Sequence, residues 1–265
     1  MNRMLIVFFI FLSTCSIAAQ HGETVNYTDL RGLKQGKWEK FYPNGKPVYR
    51  AFFVDDHPTG IMERFHQNGK PMAVINYDDN GGVGYGTLFD EDGKKIAEGA
   101  YKGSNKEGEW QYFDADGRLL AKETYVNNKK HGRSESFYKN GNISTFGFWN
   151  NDVRDGDELS FFPRGGIRVR LSYNKGAING VYTVYFDNGK KEIEGKYENG
   201  VMEGDWIFYQ PDGKKDYRII YVKGVPQESS FLDKQQEERF LEFEKNKGKL
   251  KDPEEYQNDP DGYFN

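Results

Sequence analysis

The chain has 265 residues, of which 36% are hydrophobic, 29% charged and 16% aromatic, beside 31 glycines, and its mean hydropathy is -0.87. Low aliphatic content with many aromatics and glycines excludes an ordinary helical or doubly wound enzyme core; it suits short strands joined by turns, because aromatics fit a pleated surface and glycine accepts positive φ. Net charge is -4, from 37 Lys and Arg against 41 Asp and Glu, which gives no general attraction to nucleic acid.

Arg3 precedes an apolar run from Met4 to Leu12, followed by Ser13, Thr14, Ser16, Ala18 and Ala19. This is the layout of a secretory signal peptide over 1–19, and the run is too short to span a bilayer. Cleavage after Ala19 leaves Gln20 as the new N-terminus and removes Cys15, the one cysteine, so the mature chain has no thiol chemistry. A second reading takes Leu12-Ser13-Thr14-Cys15 as a lipobox that anchors the chain through a lipidated Cys15. On either reading the protein is exported (periplasmic, cell-surface or secreted), with no transmembrane helix in the mature chain. Residues 20–35 form a lead-in.

From residue 36 a repeat takes over. Gly36, Gly60, Gly84, Gly108, Gly132, Gly156, Gly180 and Gly204 stand 24 residues apart, and a second glycine follows each by nine, from Gly45 to Gly213. An aromatic lies five residues after each opening glycine (Phe41 to Tyr209) and another seventeen after it (Phe53 to Tyr221). Residues 36–227 therefore form eight insertion-free units. Asn or Asp usually precedes the second glycine, so each unit reads as a β-hairpin. Pro43, Pro163 and Pro211 suit the second position of a type I turn, which favours a three-residue loop closed by a left-handed glycine. Such a register puts both aromatic columns on one face. It sends Trp38, Trp110, Tyr182 and Trp206 to the opposite face, among charges such as Glu39, Arg50 and Glu194. The expected fold is all-β: an elongated antiparallel sheet of about 16 strands, roughly 75 Å along the stack before twist.

Units such as Tyr197-Glu-Asn-Gly200-Val-Met-Glu-Gly204-Asp-Trp206-Ile-Phe-Tyr209-Gln-Pro-Asp-Gly213-Lys resemble the MORN-repeat family, in its bacterial variant found in proteins labelled YwqK-type antitoxins. The resemblance implies a β-hairpin scaffold for protein association or, in some members, phospholipid attachment. An antitoxin-like inhibitor of a toxin or hydrolase is the alternative it suggests.

In the tail, 228–265, Ser230 and Asp233 form a capping-box pattern before a stretch rich in Glu, Lys, Gln and Phe, which predicts a capping helix over 231–247 and an irregular end. His21, His57, His66 and His131 have no metal-ligand spacing, and the Asp-rich segments at 90–93 and 114–117 coincide with turns and lack a calcium loop's closing Glu. Gly81-Gly82-Val-Gly84-Tyr-Gly86 lacks Walker spacing. No catalytic, cofactor-binding or metal-ligating residue is expected, and the function is read as a non-enzymatic scaffold for a protein or cell-envelope partner. Two surface features carry that reading: the aromatics Trp38, Trp110, Tyr182 and Trp206, and a cationic rim of Lys94, Lys95, Lys190, Lys191, Lys214 and Lys215, suited to an acidic protein, anionic lipid or glycan.

Overall fold

The computed structural model describes residues 24–78, 82–227, 241, 242, 244 and 245. The leader, Cys15 and nearly all of the tail lie outside the described residues. Of the C-terminal helix expected over 231–247, only Leu241, Glu242, Glu244 and Lys245 are among the described residues; these four are helical, no longer helix stands among the described elements, and the rest of the expected span lies outside them.

Among the described residues, twenty strands form one antiparallel sheet in which successive strands pair, from Lys34–Phe41 with Pro47–Val54 to Val201–Tyr209 with Lys215–Val222. The short strand Tyr27–Thr28 lies along the first edge and Val225–Pro226 along the last, covering part of each.

Each unit closes through the three-residue loop that its sequence predicts. In the first, Tyr42 N donates to Lys46 O at 2.8 Å and Gly45 N to Tyr42 O at 2.9 Å, with Gly45 at φ 79°. Asn44 Oδ1 accepts from Lys46 N, which fixes the turn from inside. Successive units are joined by two-residue turns such as Asp55–Asp56 (φ 48° and 66°), a left-handed pair matching the twist of the flanking strands. The second and third units are joined by a longer route, where Asp78 N donates to Val83 O.

The faces differ from the expected register. In every hairpin the ladder slips by one residue just beyond the loop: Phe41 faces Pro47, but Lys40 faces Tyr49, so Val48 is extra. The same slip recurs at Ser136/Phe137, Tyr112/Phe113 and Phe208/Tyr209. A bulge of this kind reverses which side chains share a face on the longer strand. Trp38 therefore pairs with Ala51, and the tryptophan column joins Phe53, Tyr101 and Tyr197 on the buried inner face. The expectation that Trp38, Trp110, Tyr182 and Trp206 form an exposed set is thereby overturned: Trp110 and Trp206 are 0% exposed, Tyr182 is buried and Trp38 is half-buried. The column five after the opening glycine is mixed, with Phe65 buried and Phe41 exposed.

Glycines on the inner face make room for the indoles. A Cβ on Gly99 would lie 2.5 Å from Trp110 Cδ2, and one on Gly195 would lie 2.3 Å from Trp206 Cδ2. Trp206 then meets Tyr197 edge-on at 5.1 Å and Tyr221 at 6.0 Å, contacts worth about 0.5–1.5 kcal/mol each beyond area burial.

Candidate functional site: an open groove on the inner face

The inner face is built from columns that repeat every 24 residues, and their occupants divide it into three zones. Two residues before the opening glycine stand Lys34, Pro58, Gly82, Lys106, Lys130, Arg154, Ile178 and Met202. Two residues after it stand Trp38, Met62, Gly86, Trp110, Ser134, Glu158, Tyr182 and Trp206.

At the C-terminal end these columns are large and apolar. Tyr182, Met202, Trp206, Ile219, Tyr197 and Tyr221 form one buried cluster. Glu244 lies close enough to Tyr197 and Tyr221 for its charge to add to the burial that raises both phenols above the usual tyrosine range.

The middle zone is polar and internally paired. Lys106 Nζ donates to Tyr112 Oη at 2.8 Å, the Tyr112 and Tyr125 hydroxyls are 2.8 Å apart, Tyr125 donates to Glu123, and Lys130 Nζ is 2.9 Å from Glu123 Oε1. Lys106 also sits 4.5 Å from the Trp110 ring centroid and 4.9 Å from that of Tyr125. Burial raises the Tyr112 and Tyr125 hydroxyls and lowers the Lys106 ammonium. Each group satisfies another, which is how a sheet keeps buried polar side chains at low cost.

The N-terminal zone is open. Where other units place Lys and Trp, the second and third place Pro58, Gly82, Met62 and Gly86. The result is a groove of about 850 Å³ lined by Phe53, Pro58, Met62, Ile75, Tyr77, Leu88 and Tyr101, with His57, His66 and Arg64 along it. Tyr77 Oη donates to Gly103 O at 3.2 Å, and His66 Nε2 lies 2.9 Å from Phe89 O, so both rings are held in place. Burial raises the Tyr77 and Tyr101 hydroxyls, and the charge of the Arg64 guanidinium opposes it at both. Arg64 is exposed and makes no ion pair within the described residues. Three carboxylates line the groove: Asp56 accepts from Lys34 N, Asp90 accepts from Asp92 N and Lys94 N, and Glu91 is exposed.

The cationic rim is not a free row. Lys46, Lys70 and Lys190 each reach over the next loop and donate to its backbone: Asn68 O at 2.6 Å, Asp92 O at 2.9 Å and Asp212 O at 2.6 Å. Lys214 pairs with Asp212 at 3.1 Å and Lys95 with Glu98 at 3.1 Å. Lys191 pairs with Glu194, which raises the lysine and lowers the carboxyl. Lys94 and Lys215 are exposed. The rim and the tryptophans therefore lie on different parts of the molecule and compose no joint site. Sequence reasoning missed the groove and Arg64; the signal was present in columns that change character at the second and third units.

The family model described as MORN repeat variant matches residues 34–55, 58–79, 106–127, 130–145 and 178–199. Five stretches of this chain are thus similar to that repeat. The match reaches the repeat unit and carries no antitoxin assignment. No match was found among curated proteins. Within the described residues no cluster of His, Cys, Asp or Glu is arranged to hold a metal ion, and no helix is long and apolar enough to cross a membrane.

Proposed function

We propose that the protein is an exported, non-enzymatic repeat scaffold that holds a protein partner of the cell envelope in the inner-face groove of its first three units. The observation behind this reading is the change of column residues at Pro58, Met62, Gly82 and Gly86, which leaves apolar surface open in a sheet otherwise filled by Lys, Trp and Met. Similarity to the MORN repeat variant supports the scaffold role, since MORN repeats suggest a scaffold that binds protein or membrane. The rim reading is weakened because Lys190 is engaged by a neighbouring loop and Lys95, Lys191 and Lys214 by carboxylates of the sheet and its turns.

The test is cross-linking of the tagged protein in its own host, read by mass spectrometry, with three chains in parallel. Met62→Trp fills the groove with the residue of the first, fourth and eighth units and is expected to lose the partner. Neutralising Lys94, Lys95, Lys190 and Lys191 is expected to retain it. Retention by Met62→Trp with loss in the lysine variant would move the function to the rim. A toxin or hydrolase as the captured partner would revive the inhibitor reading. Mature protein starting at Gln20 in the exported fraction is the expected outcome for the leader; an intact N-terminus in the cytoplasm would contradict export.

A further inference from the structure

On the inner face, the ring seventeen residues after an opening glycine is repeatedly the seat of a cation. Lys34 Nζ lies 4.9 Å from the Phe53 ring centroid, Lys106 Nζ 4.9 Å from that of Tyr125, Lys130 Nζ 5.0 Å from that of Trp149, and Arg154 Cζ 5.4 Å from that of Tyr173. Each of these cations stands two residues before the opening glycine of its own unit, and the ladder fixes the place: Lys106, Lys130 and Arg154 pair with Tyr101, Tyr125 and Trp149 of the preceding strand. Pro58 holds the same place in the second unit, paired with Phe53, but brings no charge to Tyr77, and Gly82 brings none to Tyr101. Among the described residues no Lys or Arg lies over either ring, and both rings line the groove. The charges of the lining favour a cation as well, with Asp56, Asp90 and Glu91 against Arg64. Asp56 stands two residues before Pro58, whereas Arg64 stands six after it on the same strand, roughly 20 Å away along the backbone at about 3.3 Å per residue.

We infer that the groove takes a lysine side chain of the partner protein, its ammonium against the Tyr77 and Tyr101 rings at the end marked by Asp56 and Pro58, with the apolar neighbours of that lysine on Met62, Ile75 and Leu88. This rests on the scaffold reading above and names what the partner presents. The partner supplies from outside the contact that Lys34, Lys106, Lys130 and Arg154 make within the chain. A ring face attracts a desolvated ammonium through its quadrupole, and the methylene stem of a lysine suits apolar walls.

The probe is the peptide acetyl-Leu-Lys-Leu-amide, titrated onto the full mature protein and followed by the methyl resonances of Met62 and Met72, which line the groove. Two further peptides carry norleucine or Glu in place of the Lys. Saturable shifts are expected with the Lys peptide, binding about tenfold weaker with norleucine, the size of one desolvated cation–ring contact, and none with Glu. Pro58→Lys restores the cation of the other units and is expected to abolish binding, with its thermal midpoint recorded to confirm folding. Asp56→Asn, which keeps an acceptor for Lys34 N, is expected to weaken binding, and Arg64→Gln to strengthen it. No binding, equal binding of the norleucine and Lys peptides, tighter binding of the Glu peptide, or binding untouched by Pro58→Lys overturns the inference. If the Lys peptide fails while Met62→Trp still removes the cross-linked partner, the scaffold reading stands and the lysine inference falls; if both fail, both fall.

Discussion

The second and third units and the seventh and eighth share one frame. Both use the same loop, with Gly69 at φ 86° and Gly213 at φ 86°, and both slip register by one residue after it. On that frame one region carries Tyr182, Met202 and Trp206 and closes into a core, while the other carries Pro58, Met62, Gly82 and Gly86 and leaves a groove. The loop glycines and the bulge set the scaffold, and a few inner-face columns decide whether a stretch is core or binding surface. Repeat proteins separate the two roles because each unit packs only on its neighbours.

The comparison is broken most severely at the closed end. Trp206→Ala should cost about 3–5 kcal/mol, the range for emptying a buried aromatic site, whereas Met62→Ala, at the matching position on the groove, should cost about 1 kcal/mol; urea unfolding of both variants measures the gap. Gly195→Ala should follow at roughly 1–3 kcal/mol, since overpacking forces the Trp206 ring aside. Gly82→Ala, with nothing within 4 Å of the added carbon, should change stability by less than about 0.5 kcal/mol.

Alkaline pH sharpens the same contrast. Burial pushes the Tyr182 phenol up to about 12, from 10.0 in the unfolded chain. A phenol kept neutral in the folded state contributes stability that is complete below pH 10 and is lost as pH rises from 10 to about 12, because the unfolded chain gives up the proton first. Unfolding midpoints should therefore fall across that window, and Tyr182→Phe should flatten the slope. The smallest effect is expected at the rim: Lys190→Ala removes one exposed hydrogen bond to Asp212 O and should cost at most about 0.5 kcal/mol in thermal unfolding.

The repeat, the three-residue loop and the all-β architecture were legible in sequence because glycine spacing and Asn-Gly or Asp-Gly steps report local backbone conformation. The bulge was not. Val48 and its equivalents carry no residue type that marks an extra position, and a one-residue slip reverses the face of Trp38 and Trp110 without altering any periodicity. The rim lysines were visible as a row, but their donation to carbonyls 22 residues on depends on how far one loop lies from the next. Arg64 was invisible because its significance comes from the missing bulk at Pro58, on its own strand, and at Gly82, just before the strand Val83–Phe89.

The central claim is that one column of one register is open at the groove and closed at the far end. Pro58→Cys and Met202→Cys place a thiol in the open and in the closed part of that column, in a chain carrying Cys15→Ser, and labelling with a maleimide under native conditions compares them. The account predicts rapid labelling at position 58 and labelling at position 202 only on unfolding, since Met202 is 3% exposed and Pro58 lines the groove. Equal native labelling rates at the two positions would contradict it.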